Sequence, residues 1–277
     1  MHTLSQLPLD GASRVYFIVG DPIAQVKSPA GVTRSMVDQG RNAVVVPAHV
    51  HAADLSSWAA AASLSQNVDG IIVTVPHKMA SLALCASASE CARFVGAVNV
   101  MRRNLDGSWH GDMFDGEGFV RALRRQGGEL AGRSVLLAGA GGAGSAIAHA
   151  FVLAGVRRLA IHDADPARRD ALIARLSTLG RAEILAGSND PYGFDLAINA
   201  TPMGMQQGDP LPLNANKLAG AQFAGCVITS PPVSPWIEVA RAKGCKTMVG
   251  ADMFAEVKDL MVEFLLAPTL GAGGRRA

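Results

Sequence analysis

Lys78 and Asp115 are the two side chains of this sequence best placed to move a proton. Lys78 closes the segment Val73-Thr74-Val75-Pro76-His77-Lys78, and Asp115 stands in Gly111-Asp112-Met113-Phe114-Asp115-Gly116-Glu117-Gly118-Phe119. The first segment continues an apolar β-branched run from Ile71 and stops at a proline, so Lys78 is expected just past the end of a buried strand. Open α/β sheets collect their reactive groups at such strand ends. A lysine ammonium, with an ordinary pKa of about 10.4, exchanges protons near neutrality only where burial or neighbours favour the neutral amine, and a carboxylate partner would hold it in place. The bland alternative is a solvated lysine and a helix-capping aspartate, so the flanking segments must decide.

Those segments call for an α/β fold. Short β-branched runs alternate with alanine-rich stretches of helical period, the pattern of parallel strands joined by crossover helices. Strands are expected over 15–19, 43–46 and 71–75, with helices over 29–39 and 54–65 between them. A connecting helix over 119–125 leads to a second βα unit, with strands at 134–138, 158–162, 182–185, 196–199 and 225–229. An apolar helix is expected over 253–266, and the Gly271-Ala272-Gly273-Gly274 tail is expected to fray.

The second unit carries Gly139-Ala140-Gly141-Gly142-Ala143-Gly144 between the strand at 134–138 and the helix that begins near Ser145. Glycines there allow a tight turn and a close backbone approach to a pyrophosphate, whose charge meets the amides and dipole of the helix start. The bare pattern is weak, and the strand before and helix after it make it strong. About twenty residues on, at the next strand end, Asp163 is suited to accept hydrogen bonds from ribose hydroxyls, which favours NAD over NADP. Arg168 and Arg169 lie close by and leave NADP open.

The remaining composition narrows the partners to small molecules. The net charge is +2 with scattered basic residues, which gives no reason to expect nucleic acid or an anionic membrane surface. Residues 1–10 lack a secretory pattern, and no apolar stretch is long enough to span a bilayer, so the cytoplasm is expected. Cys85, Cys91, Cys226 and Cys245 show neither a CxxC pair nor Cys/His ligand spacing, so no metal and no disulfide framework are expected.

Six motifs in order make the chain resemble the shikimate and quinate dehydrogenase family. They are Gly20-Asp21-Pro22-Ile23-Ala24 with Ser28-Pro29; Val73 to Lys78; Gly96-Ala97-Val98-Asn99; Asp115-Gly116 with Gly118-Phe119; Gly139 to Ala143; and Asn199-Ala200-Thr201-Pro202-Met203-Gly204. The resemblance implies a substrate domain over 1–106, completed by 250–277, and a Rossmann-type dinucleotide-binding domain over 107–249, with the active site in the cleft between them. It implies that Lys78 and Asp115 flank a reacting ring hydroxyl, and that Ser28, Thr74 and Asn99 contact substrate. Gly139, Gly141, Gly142, Ala143, Asp163, Thr201, Met203, Val227 and Gly250 would line the path of NAD or NADP. The implied substrate is shikimate, quinate or a related cyclic hydroxy acid, and the implied assembly a monomer or homodimer.

Departures from the family pattern fall on the substrate side. The family's Ser-x-Ser reads Val26-Lys27-Ser28, its tyrosine position holds Thr229, its Asn-Thr-Asp reads Met113-Phe114-Asp115, and its late glutamine falls at Val257. A lost hydrogen bond to a charged group costs about 1.5–3 kcal/mol, so shikimate binding would weaken unless Lys27 supplies a salt bridge in its place. A dehydrogenase with a shifted substrate and a catalytically idle, ligand-sensing relative are the two readings. The joint presence of Lys78 and Asp115 favours the enzyme.

Overall fold

The computed structural model describes residues 9–218 and 223–267. The chain divides into two compact units, Met1–Phe114 with Lys258–Ala277, and Asp115–Val257. The tail at 271–274 lies outside the described residues.

The first unit is built on a mixed sheet of β1 (Arg14–Gly20), β2 (Ala43–His49), β3 (Val68–Val73), β4 (Ser87–Ala88), β5 (Val100–Arg103) and β6 (Trp109–Asp112), in the order β2-β1-β3-β5-β6-β4. β1 runs parallel to β2 and β3, while β5 is antiparallel to β3 and β6. The parallel part is joined by α1 (Ser28–Asp38) and α2 (Leu55–Ser63), and α3 (Glu90–Val95) follows β4. Pro29 sits in the first turn of α1, where a missing N–H costs nothing, and Val32, Thr33 and Met36 form its buried stripe. Thr33 Oγ1 accepts from the Val45 amide at 2.9 Å and fixes α1 on β2. Ser89 caps α3 by accepting from the Ala92 amide, and Gly96 ends that helix in the left-handed region at φ 75°.

The second unit holds an all-parallel sheet of β7 (Ser134–Ala138), β8 (Arg158–His162), β9 (Glu183–Ala186), β10 (Leu196–Asn199), β11 (Phe223–Cys226) and β12 (Lys246–Met248). Its order is β12-β11-β10-β7-β8-β9. Every residue of β7, β10 and β11 is buried, as expected of parallel strands covered on both faces. The helices are α4 (Asp115–Arg125), α5 (Gly142–Leu153), α6 (Pro166–Ser177), α7 (Pro235–Ala242) and α8 (Gly250–Leu266), the last shared between the units. Phe119 of α4 meets Phe151 of α5 edge to face, with ring centroids 5.6 Å apart, in the core of the second unit.

The C-terminal segment rejoins the first unit at Lys258, not 250, and β3 and β11 lie two to three residues earlier than expected; two further boundaries differ for visible reasons. The first unit runs on to Phe114, past the expected 106, because β6 turns back to pair with β5, Arg103 opposite Trp109. β5 itself is poorly disguised as a strand, carrying Arg102 and Arg103, yet both guanidiniums find backbone acceptors: Phe264 O at 3.0 Å for Arg102, Ser65 O and Ser63 O at 2.7 Å for Arg103. Helix α4 begins at Asp115, not at 119, although Gly116 and Gly118 lower helix propensity. Gly118 has a packing reason: a Cβ there would lie 2.3 Å from Val257 Cγ2 on α8.

Candidate active site

At the carboxyl ends of β1 and β3, the chain reverses in two adjoining loops. The Thr74 amide donates to Val19 O at 2.9 Å and the Asp21 amide to Val75 O at 3.0 Å, so the loop after β1 is stitched to the segment that carries Lys78. His77 is buried, and its Nε2 lies 2.7 Å from Val50 O, which ties the same segment to the end of β2. Lys78 is half-buried, and its carbonyl accepts from the Val98 amide at 2.9 Å. The next residue, Asn99, is fully buried, and its Oδ1 accepts from the Phe114 amide at 3.1 Å. Asp115 follows Phe114 directly and is buried as the first residue of α4. Backbone and amide hydrogen bonds thus run from Lys78 through Val98 and Asn99 to the residue preceding Asp115.

Ser28 is buried at the start of α1, Thr74 is half-buried at the end of β3, and Lys27 is exposed. Thr74 Cγ2 occupies the space a side chain at Gly20 would need, 2.4 Å from an ideal Cβ. Ser28, Thr74, Lys78 and Asn99 all belong to the first unit.

In the second unit, the strand order reverses between β7 and β10, and the loops that follow these two strands flank that point. Such switch points are where open α/β sheets bind dinucleotides. Gly139 turns there at φ 106°, and a Cβ on Gly144 would lie 2.1 Å from Gly139 O, so neither position tolerates a side chain. The start of α5 has no side-chain cap at Gly141, and an added Cβ at Gly141 would meet no described atom within 4 Å. An uncapped helix start under open space suits an anionic pyrophosphate, so the residues fit a dinucleotide. Across the switch point, Asn199 Oδ1 accepts from Thr201 N at 2.9 Å and Thr201 Oγ1 at 2.6 Å, and Asn199 Nδ2 donates to Met203 O at 3.2 Å. This network shapes the loop that carries Thr201 and the exposed Met203. Val227 is half-buried after β11, and Gly250 lets the start of α8 approach the backbone, since a Cβ there would lie 2.1 Å from Ile228 O.

Asp163 is placed differently from a free ribose acceptor. Its Oδ2 accepts from the Ala140 amide at 2.6 Å, and its Oδ1 accepts from the Asp165 amide at 2.8 Å and from Arg168 Nη2 at 2.6 Å. Burial acts to raise its pKa, but the hydrogen bonds from Arg168, Asp165 and Ala140 outweigh it and hold the carboxyl below its ordinary value. Asp163 therefore braces the glycine-rich loop. The exposed carboxylate at this strand end is Asp165, which also caps α6 by accepting from the Ala167 and Arg168 amides. The sequence pointed to the Asp-Ala-Asp segment but not to this division of labour.

Comparison with known proteins supplies the context. Residues 18–101 match the model of the shikimate dehydrogenase substrate binding domain. A shikimate dehydrogenase (NADP(+)) of Rubrobacter xylanophilus is 35% identical over 247 residues, which is 87% of each chain. The chain belongs to the shikimate dehydrogenase family. Two solved structures are similar over nearly their whole length. A quinate dehydrogenase from Corynebacterium glutamicum in complex with NAD has a TM-score of 0.82 at 28% identity, covering 92% of this chain and 94% of that one. A ligand-free 5-ketofructose reductase of Gluconobacter sp. strain CHM43 has a TM-score of 0.80 at 29% identity, covering 94% and 95%.

Within this family, the departures noted in the sequence take distinct structural roles. Met113 is 2% exposed and belongs to the core of the first unit. Phe114 is half-buried and meets Phe264 edge to face at 5.6 Å. Val257 is buried against Gly118, whereas Val26 and Thr229 are only half-buried. Sequence reasoning missed a further cluster. Asp21, His49 and His51 converge at the ends of β1 and β2, and the only sequence signal was the His-x-His spacing.

Proposed function

We propose that this chain is an NAD(P)-dependent dehydrogenase of the shikimate/quinate type, with Lys78 and Asp115 handling the proton of the reacting ring hydroxyl. Family membership makes it an oxidoreductase acting on a CH–OH group. The observation that supports the catalytic assignment is the hydrogen-bonded path from the Lys78 carbonyl through Val98 and Asn99 to Phe114, the residue before Asp115 in the chain. The bound nicotinamide supplies the hydride acceptor or donor. As the hydroxyl carbon gives up hydride, its oxygen passes a proton to Lys78 Nζ, and Asp115 orients that amine and shares the hydroxyl's hydrogen bond. Ser28, Thr74 and Asn99 hold the substrate's polar groups, and Lys27 supplies a salt bridge to its carboxylate where Val26 has replaced a hydroxyl.

Gly139, Gly141, Gly142 and Ala143 receive the pyrophosphate, and Thr201, Met203, Val227 and Gly250 line the approach of the nicotinamide. We assign a preference for NAD over NADP. Both nearby guanidiniums are engaged, Arg168 with Asp163 at 2.6 Å and Arg169 with Asp170 at 2.8 Å. With Asp165 added, three carboxylates face two guanidiniums, a poor setting for a 2′-phosphate. We place the enzyme in the cytoplasm, in keeping with a sequence that shows no disulfide framework of cysteine spacings. No helix among the described residues is long and apolar enough to cross a membrane.

Val26 in place of the first serine of the family's Ser-x-Ser and the likeness to a 5-ketofructose reductase support a second reading, in which the substrate is a neutral polyhydroxy ketone. One panel separates the two. Shikimate, quinate and related cyclic hydroxy acids are offered with NAD and NADP, and neutral polyhydroxy ketones with the reduced cofactors, following nicotinamide absorbance. The main reading expects turnover of a cyclic hydroxy acid, faster with NAD. Activity on the neutral ketones alone establishes the second reading, and no activity on any member rejects both.

A further inference from the structure

We infer that Asp21, His49 and His51 form a binding site for a divalent transition-metal ion, Zn²⁺ in the first place, on the outer rim of the first unit. His49 Nε2 lies 2.7 Å from Asp21 Oδ1 and His51 Nδ1 lies 2.9 Å from Asp21 Oδ2. The three ligand atoms all fall within 4.8 Å of one another. Two imidazoles and a carboxylate form a donor set that suits Zn²⁺, Co²⁺ or Ni²⁺ and excludes a preference for Mg²⁺ or Ca²⁺, which favour all-oxygen sites.

The fold builds this convergence. Parallel pairing of β1 with β2 sets Gly20 opposite His49, so Asp21 emerges beside the last residue of β2. His51 follows two residues later and reaches the same carboxylate from the other side. The backbone beneath is fixed: the Asp21 amide donates to Val75 O and the Val50 carbonyl accepts from His77. His49 and His51 are 53% and 74% exposed, so their rings are free to close by rotation around an ion, and water fills the remaining coordination positions. Because the two anchoring hydrogen bonds end on Val75 and His77, an ion bound here stiffens the segment leading into Lys78.

The test is calorimetric titration of the full chain with ZnCl₂ in a non-chelating buffer with the thiols kept reduced. One equivalent is expected to bind. His49→Ala and His51→Ala are each expected to weaken it by more than about tenfold, while His110→Ala leaves it unchanged. Co²⁺ in place of Zn²⁺ is expected to give a spectrum without the intense thiolate charge-transfer band, which rules the cysteines out as ligands. A rise in Tm with Zn²⁺ that vanishes in the two histidine variants is the second readout. All three side chains are partly exposed, so the variants are expected to fold, as far-UV circular dichroism will verify. Non-saturating binding, an affinity equal in both histidine variants and the parent, or a thiolate band overturns the assignment.

Discussion

Replacing Asp163 with Asn isolates the role the structure gives this carboxylate. Three donors point at it: the Ala140 amide, the Asp165 amide and Arg168. A side-chain amide offers one oxygen and one NH₂ group, so in either orientation at least one of these donors faces another donor. If the oxygen stays with Asp165 and Arg168, the Ala140 amide is stranded in a position only 3% exposed. An unsatisfied buried donor costs about 1–3 kcal/mol. The Arg168 side chain is 46% exposed, so its ion pair adds at most about 1 kcal/mol. Urea unfolding should therefore show a loss of about 1–4 kcal/mol, with weaker binding of both cofactors because Ala140 belongs to the glycine-rich loop. Arg168, released from Asp163, becomes available to a 2′-phosphate, and the kcat/KM ratio of NADP to NAD should rise about fivefold, equivalent to about 1 kcal/mol. The pH dependence follows from the depressed folded pKa. The carboxylate's contribution is complete above its ordinary value of 3.8 and is lost as pH falls through the lower folded value, a dependence the Asn variant lacks. Unchanged stability together with an unchanged cofactor ratio would refute the bracing role.

Three further substitutions probe the remaining assignments. Gly144→Ala places a methyl 2.1 Å from Gly139 O, and equilibrium titration should show NAD affinity falling by more than about tenfold; affinity within twofold of the parent argues against the tight turn. Lys27→Ala should raise KM for the best carboxylate substrate about tenfold with kcat retained, the signature of lost uniform binding, and an unchanged KM removes Lys27 as the anchor. Asn99→Ala leaves the Phe114 amide without its acceptor and should lower stability by about 1–3 kcal/mol and kcat/KM as well; a variant with normal melting and normal turnover would detach Asn99 from the site.

The readable part of this chain was its local chemistry. Apolar runs at 71–75 and 134–138 announced central strands, and the glycine spacing at 139–144 announced the turn at the switch point, because each depends on neighbours in sequence. β5 and β6 were missed because their short Val-Met-Arg-Arg and Trp-His-Gly-Asp runs lack an apolar pattern, and it is distant carbonyls on Ser63, Ser65 and Phe264 that accommodate the arginines. The same limit hid the Asp21, His49 and His51 cluster, whose members are 28 and 30 residues apart and meet only through the register of β1 against β2. Asp163 was visible as a strand-end carboxylate, but which donors consume its oxygens depends on the folded positions of Ala140 and Arg168. Met113 was visible as a departure from the family's Asn-Thr-Asp, but its place in the interior of the first unit depends on the folded chain.

The proton of the hydroxyl that is oxidised is assigned to Lys78. The direct measurement is kcat of Lys78→Ala on the best substrate of the panel, alongside the dissociation constant for NAD. A fall in kcat of about 10²–10⁴-fold is expected, with NAD binding unchanged. Turnover retained at the parent rate would contradict it.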